Sequence, residues 1–198
     1  MYKITFIFLL ILFKLTCSFA QITNLKYRVI YKDKEVGTLL ATKQISDSII
    51  FYQNKTEIDT RVITKINLEY KYDVIFENGL LNKSNVQIEL NGKSRKNSKT
   101  ILEKNKYRYY EDEKLSLLIS ENINYTAAML ILEEPIGIQN VYSEENGTFH
   151  GLKKIEEHIY EKRGEKNRIN TYIYKNNILK KAIINAGIIE FQVELIEN

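Results

Sequence analysis

The sequence predicts a mainly β protein. Its expected form is a single antiparallel, strongly curved sheet, a β-roll or incomplete barrel, with one short buried helix near residues 122–134. Three observations carry this. Apolar and polar residues alternate strictly through several runs. Asn-Gly and related pairs separate those runs at short intervals. One stretch drops the alternation and ends at Pro135, the single proline of the chain.

In chain order, the first segment reads as a secretory leader. Lys3 precedes an apolar run over residues 4–13, and Ser18-Phe19-Ala20 puts small residues at the two positions a signal peptidase reads. A run of about ten residues is too short to span a bilayer core of ~30 Å as a helix. Residues 1–20 are therefore expected to be removed, leaving residues 21–198 as a single β-rich domain, exported to the periplasm or secreted. Cys17 is alternatively a lipid-anchored N-terminus, although Thr16 and Lys14 stand where that signal calls for a small and an aliphatic residue. Without residues 1–20 the chain has no cysteine, which excludes disulfides and cysteine-built zinc sites. No transmembrane helix is expected in the mature chain.

The strands follow from period-two patterning. Tyr27, Val29 and Tyr31 oppose Lys26, Arg28 and Lys32. Ile66, Leu68, Tyr70, Tyr72, Val74 and Phe76 share one face, opposite Lys65, Asn67, Glu69, Lys71 and Asp73. At ~3.3 Å per residue this run extends ~40 Å, about twice a typical strand, so it should bend. Val86, Ile88 and Leu90, then Tyr107 and Tyr109, then Phe191, Val193 and Leu195 repeat the pattern. Turns are expected at Asp33-Lys34, Asn78-Gly79, Asn91-Gly92, Asn146-Gly147, Arg163-Gly164, Asn176-Asn177 and Ala186-Gly187. Tight turns between alternating runs imply a meander. Residues 122–134 instead contain helix formers behind an Asn cap candidate, with Pro135 as the stop. Their apolar residues cover nearly the whole circumference, so the helix should be buried and plug or cap the sheet.

Composition excludes more than it assigns. The formal charge of +4 falls to +2 when Lys3 and Lys14 leave with the leader. Opposite signs are interleaved, and the most basic stretch, Lys93-Ser94-Arg95-Lys96-Asn97-Ser98-Lys99, reads as a solvated hairpin arm. Nucleic acid is not an expected partner. Ile, Lys and Asn make up over a third of the chain, so single Lys or Asn residues say little, and the four Asn-x-Ser/Thr sequons at Asn54, Asn82, Asn124 and Asn146 are near chance.

Chemistry-bearing patterns are weak. His150 and His158 lie in one expected hairpin beside Glu156 and Glu157, which reads as two exposed strand histidines. No Gly-x-Ser-x-Gly elbow, P-loop or dinucleotide fingerprint occurs. Glu133-Glu134 places two carboxylates at a helix C-terminus, against the macrodipole, where solvation or pairing with Lys is the plainer reading. No catalytic, cofactor-binding or metal-binding residue is assigned. Fourteen Tyr and eight Phe concentrate on strand faces, without Trp. Tyr70, Tyr72, Tyr107 and Tyr109, with Tyr172 and Tyr174, are candidates to line a concave apolar pocket; the alternative is core packing, which sheets favour for aromatics.

The order of several short segments resembles an exported bacterial family known as a domain of unknown function. The segments are Tyr27-Arg28-Val29-Ile30-Tyr31, then Glu35-Val36-Gly37-Thr38, then Phe76-Glu77-Asn78-Gly79-Leu80-Leu81 with Asn91-Gly92-Lys93. Leu132-Glu133-Glu134-Pro135-Ile136-Gly137, Val141-Tyr142-Ser143-Glu144 and Gly147-Thr148-Phe149 complete the set. The resemblance covers nearly all of the mature chain. It implies a curved all-β domain with a short helix, a close backbone approach or bulge at Gly37, and no transferable activity. The expected role is a non-enzymatic envelope protein that binds or helps assemble a lipid, glycan or protein. The alternatives are an outer-membrane β-barrel and an extracytoplasmic hydrolase.

Overall fold

The computed structural model describes residues 21–61, 65–186 and 189–197. The expected leader and the Gly187 half of the Ala186-Gly187 turn lie outside the described residues. The first strands are β1 (Gln21–Tyr31), β2 (Lys34–Ser46), β3 (Ile49–Arg61), β4 (Lys65–Glu77), β5 (Leu80–Leu90), β6 (Lys93–Glu103), β7 (Lys106–Glu111) and β8 (Lys114–Ile119). Then follow β9 (Asn140–Ser143), β10 (Thr148–Glu156), β11 (Ile159–Arg163), β12 (Ile169–Lys175), β13 (Ile178–Asn185) and β14 (Glu190–Leu195). All belong to one antiparallel sheet in the order β8-β7-β6-β5-β4-β3-β2-β1-β14-β13-β12-β11-β10-β9. Two meanders are thus joined side by side through β1 and β14, where Val29 faces Val193. The sheet does not close, and its two free edges, β8 and β9, are consecutive in the chain.

Turn chemistry sets the hairpins. Asn78-Gly79, Asn91-Gly92 and Asn176-Asn177 hold both residues at φ between 52° and 78°, as type I′ turns require. Lys32-Asp33, Lys104-Asn105 and Asp112-Glu113 adopt the same paired positive φ. The first turn therefore sits one residue before the expected Asp33-Lys34.

Bulges supply the curvature. Six hairpin ladders shift register, and each shift bends and twists the strands it interrupts. Strands β2 and β4 meet such shifts near one end, opposite Val29/Ile30 and at Ile75/Phe76, whereas β3 pairs with both neighbours in unbroken register. Gly37 faces Val29 at the shift between β1 and β2. A Cβ there would overlap the carbonyl oxygen of Glu57 and lie 2.8 Å from Ile58 Cα. The close backbone approach expected at Gly37 is real, and it is an approach to β3.

The segment between β8 and β9 crosses the concave side of the sheet. Its helix is shorter than expected: a single 3-10 turn, Ala127–Ile131, with Ala128, Met129, Leu130 and Ile131 buried. The turn packs on β3 and β9. Side chains of the surrounding strands hydrogen-bond its backbone carbonyls. Beyond it, the ends of the sheet overlap rather than pair. Ser98 Oγ on β6 donates to Glu144 O at 2.8 Å, and Tyr109 OH on β7 donates to Glu145 O at 2.6 Å. Thr100 Oγ1 and Tyr142 OH lie 2.8 Å apart. Strand β9 is therefore tucked inside β6 and β7, which makes the sheet a roll. Its outer edge is partly covered, since Tyr142 N donates to Tyr125 O at 3.0 Å.

Candidate functional site

A 3-10 turn in an apolar interior exposes carbonyls that need donors. Tyr27 OH donates to Ile131 O at 2.8 Å, Tyr174 OH to Leu130 O at 2.6 Å, and Tyr125 OH to Glu133 O at 2.8 Å. Asn54 Nδ2 donates to Ala128 O at 2.9 Å. This accounts for much of the tyrosine content: the ring fills the core and the hydroxyl satisfies the buried turn. Burial holds Tyr27 and Tyr174 above the usual tyrosine range, so both remain donors.

Charged groups anchor both ends of the turn. At its start, Glu144 is fully buried, and its carboxylate accepts from Ala128 N at 2.9 Å and Ala127 N at 3.2 Å. Burial raises its pKa above the ordinary 4.5, against the pull of those amides and of Lys162. At its exit, Glu133 accepts from Tyr52 OH at 2.6 Å and pairs with Lys43 Nζ at 2.6 Å. Glu134 turns the other way, to His158 Nδ1 at 2.9 Å and Tyr160 OH at 2.8 Å. The pair anticipated at a helix C-terminus is a double clamp that ties the turn to β2 and β3 on one side and to the β10–β11 hairpin on the other. Burial and the Glu134 contact push Tyr160 up to about 12.

Beside this turn the roll encloses a cavity of about 350 Å³, within the ~300–1,000 Å³ of small-molecule sites. Ala127, Ala128 and Ile131 form its floor, and Val29, Leu39, Phe191 and Val193 supply apolar wall. Asn54, Thr56 and Ile58 alternate along β3, facing Tyr72, Tyr70 and Leu68 of β4 across the ladder. Lys162, Asn170 and Tyr172 enter from β11 and β12, with Arg168 at their junction. Asn54 is 5 % exposed and Ala128 2 %, whereas Arg168 and Ala186 are exposed, so the cavity deepens from the Arg168 side toward the turn.

The polar groups of the cavity are unevenly satisfied. Tyr72 OH donates to Glu145 Oε2 at 3.3 Å. Burial first, then the Glu145 charge, raises the Tyr70 and Tyr72 hydroxyls above their usual range. Asn54 Oδ1 is buried without a partner. Lys162 and Arg168 make no salt bridge among the described residues, although the Lys162 charge acts on Glu144.

Of the candidate tyrosines, Tyr70, Tyr72 and Tyr172 line this cavity. Tyr107 and Tyr109 lie elsewhere in the core, 2 % and 1 % exposed. Tyr107 OH accepts from Ile123 N at 3.5 Å, and Tyr109 packs so closely on Gly147 that a Cβ there would stand 2.5 Å from its ring. Tyr174 serves the turn. His150 and His158 do not meet. His150 is buried on β10, with Nδ1 unpartnered, whereas His158 occupies the β10–β11 turn at φ 61°. No group of three or more His, Cys, Asp or Glu among the described residues is placed to hold a metal ion. Asn54, Lys162 and Asn170 were missed as site residues. Their signal is a polar residue in the inward phase of an alternating strand, as in Tyr52-Gln53-Asn54-Lys55-Thr56-Glu57-Ile58.

No curated protein matches the chain. Among solved structures it is similar to a beta-barrel-like protein of domain of unknown function DUF1849 from Brucella abortus, with a TM-score of 0.56 and 9 % identity. That alignment covers 90 % of this chain and 96 % of the other, and at this identity the likeness is one of fold. No helix among the described residues is long and apolar enough to cross a membrane. The model of the family described as Domain of unknown function (DUF6134) matches residues 27–196, almost the whole of the rolled sheet, and the chain belongs to that family.

Proposed function

We propose that the protein is an exported, non-enzymatic binding protein of the cell envelope, holding one small amphipathic ligand in the cavity beside the Ala127–Ile131 turn. The observation that carries this is the cavity. Protein interiors normally pack with few voids larger than a water molecule. A space of about 350 Å³, open at the Arg168 side, has the size of a small-molecule site. Here the clamps at Glu133, Glu134 and Glu144 hold the turn in place and keep that space open. The leader-like residues 1–20 support the exported half of the proposal.

The membrane-barrel alternative fits less well. Arg28, Lys55, Glu57 and Glu69 are exposed on the convex face, and the sheet has two free edges. A lipid-facing barrel needs an apolar exterior and closure. For a hydrolase, Glu133 and Glu134 are engaged by their clamp partners and do not line the cavity.

Native mass spectrometry of the protein, purified without detergent from an exporting host, tests the proposal. The expected spectrum carries one additional small molecule per chain, lost when Thr56→Phe fills the cavity. A bare mass, together with no uptake of any added medium-chain amphiphile, refutes it.

A further inference from the structure

We infer that the ligand of this cavity is a single-chain amphiphile with an anionic head and a hydrogen-bond donor, such as a hydroxyl, toward the far end of its chain; this rests on the binding role proposed above. Three features of the lining converge on it. The first is charge. Lys162 and Arg168 both border the cavity; neither makes a salt bridge among the described residues, and the Lys162 charge acts on the buried Glu144. Their positions are set together, because Lys162 faces Asn170 across the β11–β12 ladder and Gly164 N donates to Arg168 O at 2.9 Å. Glu145, the acidic residue among the lining side chains, already receives the Tyr72 hydroxyl. Glu144, next to the floor, is taken up by the Ala127 and Ala128 amides. The lining itself thus presents two cations, Lys162 and Arg168, against one carboxylate, Glu145, and a cation partly withdrawn from water is stabilised by an anion.

The second feature is the apolar wall between mouth and floor, made by Val29, Leu39, Ile58, Phe191 and Val193. The volume of about 350 Å³ accommodates on the order of a dozen methylene-sized groups at ~30 Å³ each. That is one medium-length chain, too little space for a two-chain lipid. The third feature is Asn54 Oδ1. Its amide nitrogen is committed to Ala128 O at 2.9 Å, which points the oxygen away as a buried acceptor without a donor. A ligand that reaches the floor with a hydroxyl satisfies it, and an unmet buried acceptor is costly. Carboxylate and phosphate heads share the chemistry that Lys162 and Arg168 select.

Isothermal titration calorimetry with decanoate, decyl phosphate, decanol and ω-hydroxylated decanoate tests the inference on the full mature protein. At least one of the two anions should bind about tenfold or more tighter than decanol, as charge-assisted hydrogen bonds imply. Tighter decanoate marks a free fatty acid as the source, and tighter decyl phosphate marks a phosphorylated lipid. The K162Q/R168Q double variant should lose that preference. R168Q alone, at an exposed position, should lose part of it without disturbing the fold. Hydroxylated decanoate should bind several-fold tighter than decanoate. Decanol binding as well as both anions overturns the anionic head and leaves the binding role standing. Equal affinity with and without the hydroxyl overturns the donor. Failure of all four to bind, with a bare mass in the native spectrum, overturns the binding role as well.

Discussion

Tyr160 OH donates to Glu134 Oε1 at 2.8 Å, from a strand near one end of the sheet to the segment that crosses its interior. The same carboxylate meets His158 Nδ1 at 2.9 Å, and its side chain is 2 % exposed. Glu133, one residue earlier, faces Tyr52 and Lys43 and is 27 % exposed. The crossing segment is therefore held from both halves of the roll.

Glu134→Ala should be the costlier of the two clamp variants. It leaves the Tyr160 hydroxyl and the His158 ring without their partner, a loss of about 1–3 kcal/mol. Glu133→Ala removes a partly solvated pair and should lose about 1 kcal/mol. Urea denaturation at neutral pH measures both, and equal losses would contradict this order.

Gly37→Ala should destabilise the protein by about 1–3 kcal/mol, the range for overpacking, or more, because the obstacle is backbone. The new methyl would meet the Glu57 carbonyl and Ile58 Cα, neither of which can swing aside like a side-chain end. Thermal unfolding checks this, and a change under about 0.5 kcal/mol, the usual size for an open surface site, would show that β2 can shift away from β3.

Glu144 makes stability fall as pH rises through its window. Burial raises its pKa in the folded state above the ordinary 4.5. Between the two values the folded chain keeps a proton that the unfolded chain has released, so raising the pH favours unfolding. Glu144→Gln should flatten that part of the stability–pH curve. It should also cost about 1 kcal/mol, because an amide replaces one of the two acceptors for the Ala127 and Ala128 amides. An unchanged slope from pH 4.5 upward would mean that Glu144 titrates normally.

His150 acts in the opposite sense. Burial first, and the Lys162 charge second, lower its pKa below the ordinary 6.5. On acidification the unfolded chain takes up its proton first, so stability is lost as pH falls from 6.5 through the lower folded value. His150→Phe should remove this acid-side loss. Difference curves of the two single variants against the wild type separate the Glu144 and His150 contributions.

The strand runs were legible because period-two alternation records which face of a half-buried strand meets the core. The stretch from Ile66 to Phe76 is β4 as read. Asn78-Gly79 and Asn91-Gly92 were legible because those residues tolerate positive φ without help. Lys104-Asn105 and Asp112-Glu113 were not, since Lys and Glu adopt φ of 49° and 66° there only under the pull of the paired strands around them. For the tyrosines, alternation put Tyr70 and Tyr107 alike on inward faces. Which one borders a cavity and which fills the core depends on what lies opposite, and that is set by strands far away in the chain.

By itself the sequence determined that the chain is an antiparallel meander with tight turns and bent strands, and that one buried segment interrupts it. These are local properties of pattern and backbone sterics. Only the tertiary structure decided that the segment contracts to a 3-10 turn, that the sheet rolls up without closing, and that a cavity lined by Lys162, Arg168 and Asn54 opens beside it. The physical reason is separation along the chain. The turn's carbonyls are satisfied by Tyr27 and Asn54 at distances of 104 and 74 residues. A window of neighbouring residues holds no trace of a partner that far away.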